Sequence, residues 1–354
     1  MVFISILGFS LNWYNDKIKI SKKISPYRVG HRSRNIALGS SGMLSSSRYL
    51  KNKAVYYSTK QGFNIDPWYI TGLIDAEGSF GFTVSKSTKR SLGYALSICF
   101  EIALQASDKH ILVKLKDYFG VGGVYQHTGN MYRYKVSSIK DTLNVIVPHF
   151  DKYPLVTQKK ADFEIFKQIL KILSKGPLKF SDLQEVINLK AGLNRGLSPV
   201  LKLAFPNTVV PSRQEIIFKG IPSPNWVCGF TEGEGSFYIS LVKSSRLKTG
   251  VDVRLGFVLT QHSRDQALLI GLESFFGVGK FYLRSNQLAG DFKVTRLEDL
   301  NEKIIPFFYK YSFIGAKYIS FKQLCMVAGI MKAKDHLTEK GLKKIRDIKS
   351  RTGF

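Results

Sequence analysis

The sequence predicts an α+β fold made of two pseudo-symmetric copies of one unit. Each copy runs helix, two strands, helix, two strands, helix (αββαββα). Three observations predict it. From about residue 65 the chain repeats itself at an offset of about 157 residues. Within each copy, several runs alternate apolar and polar side chains with the period of a half-buried strand. Each copy also opens on a helix-like stretch carrying two small residues four positions apart, which lets another backbone approach closely.

The repeat is read from anchors that recur in the same order. Ile70 to Phe80 (ITGLIDAEGSF) matches Val227 to Phe237 (VCGFTEGEGSF), and FGVG recurs at Phe119 to Gly122 and Phe276 to Gly279. IVPHFDKYPLVTQK (Ile146 to Lys159) matches IIPFFYKYSFIGAK (Ile304 to Lys317). The tails agree as well, Leu178 to Lys190 against Leu337 to Lys349. The first copy is placed at residues 65–196 and the second at 225–354. Between them, residues 197–224 are broken by Pro199, Pro206, Pro211, Pro222 and Pro224, which predicts a linker with little regular structure. Residues 1–64 carry Asp16 as their one acid, with recurrent Arg and Lys and a serine-rich patch. That composition reads as a mitochondrial targeting leader or as a fused upstream remnant.

Taken in order, each copy begins with its helix. Gly78 is expected in the left-handed conformation that ends the first one. In the strand that follows, Phe80, Phe82 and Val84 point inward, and Ser79, Gly81, Thr83 and Ser85 outward. The next strand sets Leu96, Ile98, Phe100 and Ile102 against Ser97, Cys99 and Glu101, and a later one sets Tyr132, Tyr134 and Val136 against Arg133 and Lys135. In the second copy the outward set is Ser236, Tyr238, Ser240, Arg254, Lys293 and Thr295. The two outer faces together are expected to form a long polar-to-basic saddle, and such ribbons fit the major groove of DNA. The two GVG segments lack the Lys and Ser/Thr of a nucleotide loop and read as turns.

Composition narrows the function. The chain has 53 basic and 26 acidic residues in 354, a formal net charge of +27. That excess points to a polyanionic partner, nucleic acid first and an anionic membrane surface second. Cys99, Cys228 and Cys325 offer neither a disulfide framework nor zinc spacing, which suits a reducing compartment. No apolar run approaches the roughly 20 residues of a membrane helix.

The chemistry is expected where the opening helices end. Gly72 and Ala76 in one and Gly229 and Gly233 in the other allow tight packing. If the helices run parallel, Glu77 and Glu234 meet at the pseudo-twofold axis. Two carboxylates so placed cannot both ionise unaided, and a divalent cation resolves the conflict. Oxygen ligands suit Mg²⁺, with Mn²⁺ able to substitute. Such an arrangement serves phosphodiester hydrolysis. Asp75 and Glu232, two residues earlier, point elsewhere and read as structural groups.

ITGLIDAEGSF and VCGFTEGEGSF resemble the two signature motifs of the LAGLIDADG homing endonuclease family in its single-chain form. The resemblance covers about residues 66 to 350. It implies motif helices at the copy interface and double-strand cleavage of a long, asymmetric DNA target by a monomer, with no membrane partner. It implies metal ligation by Glu77 and Glu234, with the carbonyls of Ala76 and Gly233 as further ligands. A glutamine ending the second strand is met by Gln261. In the first copy the strict match is Leu104 with Gln105 one step on, so either symmetry is broken or the register shifts. Lys159 and Lys317 match the family's basic residue near the scissile phosphates. The resemblance also leaves a rival open, an RNA-binding maturase of intron RNA. Both readings imply an intron-encoded protein of an organelle, taken as the mitochondrion.

Overall fold

A computed structural model describes residues 65–350; the leader expected over residues 1–64 lies outside the described residues. Helix α1 (Pro67–Glu77) starts at Asp66, whose side chain accepts from the Trp68 amide at 2.8 Å, with Pro67 at its first position. It runs without a loop into β1 (Gly78–Lys86), which returns as β2 (Tyr94–Gln105). A 3₁₀ turn (Ala106–Asp108) leads to α2 (Lys109–Phe119), then β3 (Gly123–Gln126) and β4 (Met131–Val136). Helical segments α3 (Ile139–Asp141) and α4 (Val147–Lys152) flank a π turn, and α5 (Lys159–Leu173) and α6 (Phe180–Gly192) complete the copy.

After a short helix α7 (Pro199–Ala204), the second copy repeats the order. Helix α8 (Pro224–Glu234) runs into β5 (Gly235–Lys243) and β6 (Val251–His262). A 3₁₀ turn (Ser263–Asp265) precedes α9 (Gln266–Phe276), β7 (Lys280–Leu283) and β8 (Ala289–Val294). Then come α10 (Leu297–Asp299), α11 (Ile305–Lys310), α12 (Lys317–Lys332) and α13 (Glu339–Ser350). No helix among the described residues is long and apolar enough to cross a membrane.

Each copy holds one four-stranded antiparallel sheet, ordered β1-β2-β4-β3 and β5-β6-β8-β7. The alternation read from sequence is the alternation of faces. Phe80, Phe82, Ile98, Phe100, Ile102 and Tyr134 are buried under helices, as are Phe237, Leu255, Phe257, Leu259 and Phe292. The cores match ring for ring. Phe80 packs on Phe100, Phe150, Phe163 and Phe166, and Phe237 on Phe257, Phe308, Phe313 and Phe321.

The sheets are joined through α1 and α8, which pack parallel at backbone distance. A Cβ on Gly72 would lie 2.1 Å from the Trp226 carbonyl oxygen, and one on Gly229 would lie 2.0 Å from that of Tyr69. No side chain fits at either place. Further along, a Cβ on Gly233 would lie 2.6 Å from the Ala76 Cβ.

One local expectation changes. Gly78 is extended (φ −77°, ψ 159°), not left-handed, and so is Gly235. Their reason is space, since the helix passes straight into the strand. A Cβ on Gly78 would lie 2.5 Å from Ile74 Cγ2, and one on Gly235 2.3 Å from Thr231 Cγ2. The left-handed C-caps occur instead at Gly120 and Gly277, the two GVG turns, with φ 67° and 68°. The connecting segment has little regular structure, as its prolines suggest, with α7 its one helix, but side chains tie it to the first copy. Ser198 caps α7, Phe205 packs on Tyr94, and Arg213 pairs with the buried Asp162 at 2.9 Å.

Candidate active site

Glu77 and Glu234 are the last residues of α1 and α8, so the close helix contact sets their separation. The Glu77 side chain lies over Gly233, where an added Cβ would meet its Cγ at 2.8 Å and its Oε1 at 3.1 Å. Burial pushes the Glu77 carboxyl above the usual range, against the pull of Lys159 and Lys317. Burial and then the Glu77 charge push Glu234 up to about 7, with the same lysines and Gln261 opposing. These are two acids in each other's field, the condition a cation relieves.

The lysines are the first residues of α5 and α12 and reach the ends of the motif helices. Lys159 Nζ donates to the carbonyls of Ile74 at 2.8 Å and Ala76 at 3.3 Å. Lys317 Nζ donates to the Gly235 carbonyl at 2.5 Å. Burial lowers both lysines below their ordinary range, while carboxylates that include Glu77 and Glu234 act to raise them. The structure therefore gathers Glu77, Glu234, Lys159, Lys317, Ala76 and Gly233 in one place.

Gln261 belongs to the same cluster, with Nε2 3.5 Å from Glu234 Oε1. Its counterpart in the first copy is Leu104, because the registers coincide. Gly78 faces Ile102 in β1–β2, as Gly235 faces Leu259 in β5–β6. Gln105, expected as the partner of Gln261, corresponds to His262 and is exposed on the outer face. The register does not shift, and Leu104 breaks the symmetry.

Asp75, buried, and Glu232, half-buried, are structural groups that cross between the copies. Asp75 accepts from the Thr157 hydroxyl at 2.6 Å and the Val156 amide at 2.9 Å in its own copy, and from Trp226 Nε1 at 2.9 Å in the other. Glu232 accepts from the amides of Ile314 and Gly315, both at 3.1 Å, and from the Tyr69 hydroxyl of the other copy. Burial pushes both carboxyls up, and these hydrogen bonds draw them back.

The outer faces carry the outward residues expected. Ser79, Gly81, Thr83 and Ser85 lie opposite Glu101, Cys99, Ser97 and Ala95. Arg133 pairs with Glu101 at 2.9 Å, beside Lys135. In the second sheet Ser236 and Thr295 are exposed, and Tyr238 lies across Gly256. Arg254 pairs with Asp252 at 2.8 Å, next to Ser240 in the facing strand. Lys293 pairs with Asp291 at 2.9 Å. Asp291, which also binds Thr260 and Arg284, falls outside the sequence expectation because the alternation followed there begins at Phe292, whereas β8 begins at Ala289.

The donor set fits a hard divalent cation: carboxylate and carbonyl oxygens, with two acids raised by their surroundings. Among the described residues no three His, Cys, Asp or Glu side chains gather as a metal cluster. The protein thus offers a pair of carboxylates rather than a closed cage.

Comparisons with known proteins identify the family. The family model for "LAGLIDADG endonuclease" matches residues 70–170 and 227–328. "Probable intron-encoded endonuclease 2" of Neurospora crassa is 36% identical over 299 residues, covering 81% of this chain and 65% of its own length. With "Probable intron-encoded endonuclease 3" of that species the share is 56%, so the chain spans about two thirds of these relatives or less. Two further relatives are named for introns of ND4, in Podospora anserina, and of cox1, in Schizosaccharomyces pombe. The crystal structure of the I-SmaMI LAGLIDADG homing endonuclease bound to cleaved DNA is 38% identical. It superposes with a TM-score of 0.80 over 81% of this chain and 97% of that one. The same protein with uncleaved DNA and calcium ions gives a TM-score of 0.79, with 38% identity over 81% of this chain and 98% of that one. With a motif helix in each copy, two matching sheets and paired carboxylates where the helices end, the chain belongs to the LAGLIDADG endonuclease family.

Proposed function

We propose that the chain is a site-specific endonuclease that hydrolyses both strands of a long DNA target as a monomer. The observation that carries this is the meeting of Glu77 and Glu234, each raised by burial and both flanked by Lys159 and Lys317. Glu77 and Glu234 would hold Mg²⁺, with carbonyls such as that of Ala76 nearby. When bound, the cation neutralises phosphate charge and makes water more acidic.

The chain's own groups do the rest. Lys159 and Lys317 supply positive charge where the phosphate oxygens gain negative charge. Gln261, beside Glu234, orients a proton donor or acceptor at one site and has no counterpart at the other. The outer faces, with Arg133, Lys135, Arg254 and Lys293, receive the duplex. The names of the relatives favour DNA cleavage over the maturase reading, and those that name mitochondrial-gene introns support an organellar, intron-encoded origin.

The test is cleavage of a randomised duplex library with Mg²⁺ and with Ca²⁺. Selected sites should be cut with Mg²⁺. Glu77→Gln and Glu234→Gln should each remove double-strand cleavage while leaving affinity within a few-fold. Full cleavage by either variant overturns the assignment. Affinity should fall about a thousandfold or more between 50 and 200 mM salt if six or more phosphates are neutralised.

A further inference from the structure

Helices α5 and α12 bring the two lysines to the site, and each begins against an acid from the other copy. The Gln158 amide, just before α5, donates to Asp265 Oδ1 at 2.7 Å. The Ala316 amide, just before α12, donates to Asp108 Oδ1 at 2.6 Å. Asp108 ends the 3₁₀ turn after β2, and Asp265 ends the matching turn after β6. A helix start exposes unpaired amides and partial positive charge, so a carboxylate there fixes both position and direction.

A second observation concerns the space around one of these starts. A Cβ on Gly315 would lie 2.6 Å from Asp108 Oδ1 and 2.6 Å from Glu232 Oε1. The turn before α12 is kept bare so that two carboxylates can converge on it. His110, two residues after Asp108, also reaches across to the Ile314 carbonyl at 2.8 Å.

We propose that Asp108 and Asp265 are positioning residues that act across the copy interface: Asp265 sets the helix that carries Lys159, and Asp108 sets the helix that carries Lys317. Each lysine then reaches its place only when the other copy is docked. This rests on the nuclease reading above. Lys159 reaches the end of α1 and Lys317 the start of β5, so each acid serves one of the two cleavage centres.

The experiment uses the full chain and supercoiled plasmids carrying sites that the wild type selects from a randomised library. Asp265→Ala and Asp108→Ala should bind the site within about twofold of wild type and turn over about tenfold to a hundredfold more slowly, the scale of a misplaced catalytic group. Nicked plasmid should accumulate, and the slow strand should be the opposite one in the two variants. Asp265→Asn and Asp108→Asn keep the oxygen without the charge. They should restore part of the rate and retain the same strand bias, which also serves if an alanine variant does not fold. Amide exchange should show lost protection at the start of α5 in the Asp265 variants and at the start of α12 in the Asp108 variants.

Equal rates on both strands, the same slow strand in both variants, or a lowered Tm with unchanged rates overturns the proposal. If the wild type cuts no selected site, the nuclease reading falls. Exchange still decides the crossed capping, and unchanged protection at the opposite helix overturns it.

Discussion

Behind the two motif helices the copies differ in chemistry at matched positions. In the first, Thr71 donates its hydroxyl proton to the Tyr153 carbonyl at 3.0 Å. Its oxygen is then left to accept from His149 Nε2 at 3.2 Å, and His149 Nδ1 accepts from the Tyr118 hydroxyl at 3.1 Å. In the second copy the corresponding residues are Cys228, Phe307 and Phe275. The Cys228 thiol still donates to the matching carbonyl, that of Tyr311, at 2.8 Å. The Phe307 and Phe275 rings pack edge-on at 5.6 Å. The same backbone is thus supported by a polar chain in one copy and by aromatic packing in the other. Only the bond from motif helix to carbonyl is kept. It fixes the helix, and what lies behind it is free to vary.

The largest effect should come from removing what the copies share. Gly229→Ala places a methyl group 2.0 Å from a backbone oxygen of the facing helix. We expect a loss above about 3 kcal/mol, at the upper end of overpacking, measured by denaturant unfolding. Gly233→Ala meets Ala76 Cβ and Glu77 Cγ instead. It should cost less stability and more activity, because a carboxylate rather than a backbone must move.

The next prediction sharpens the contrast between polar and aromatic support. Burial lowers His149 to about 4, against an ordinary value near 6.5. The unfolded chain therefore takes up the proton first. The stabilisation is fully present above about pH 6.5 and is lost as pH falls toward 4, by about 3 kcal/mol. His149→Phe copies the second repeat into the first and should remove that slope. An unchanged difference between pH 7 and pH 5 would count against the neutral, buried state of His149.

The smallest effect concerns Gln261. Gln261→Leu should slow one strand about tenfold, equivalent to about 1.4 kcal/mol of barrier, and nicked plasmid would report it. Leu104→Gln should narrow the difference between strands. Equal strand rates in the wild type would mean that this asymmetry has no catalytic consequence.

Much of this was legible in the sequence because the repeat compares the chain with itself. Alternation gave the sheet faces, recurrence at equivalent positions singled out Glu77 and Glu234, and the family resemblance pointed to Lys159 and Lys317. The strict match between the copies already sets Leu104 against Gln261. What could not be read is which residues cross. Equivalence says that Asp75 matches Glu232 and that Tyr69 matches Trp226. It does not say that each acid binds the other copy's aromatic. That depends on helix separation, which the small residues permit without specifying direction. Gly78 departs from its sequence expectation for a related reason, since glycine serves both unusual backbone angles and lack of space.

The crossed contacts have a consequence for ancestry. Asp75 to Trp226 and Glu232 to Tyr69 are one contact seen from two sides, as are Asp265 to Gln158 and Asp108 to Ala316. That reciprocity defines an isologous interface. A chain of a single repeat could satisfy it with its own twin, and fusion of two genes would then preserve every bond while freeing each half to drift.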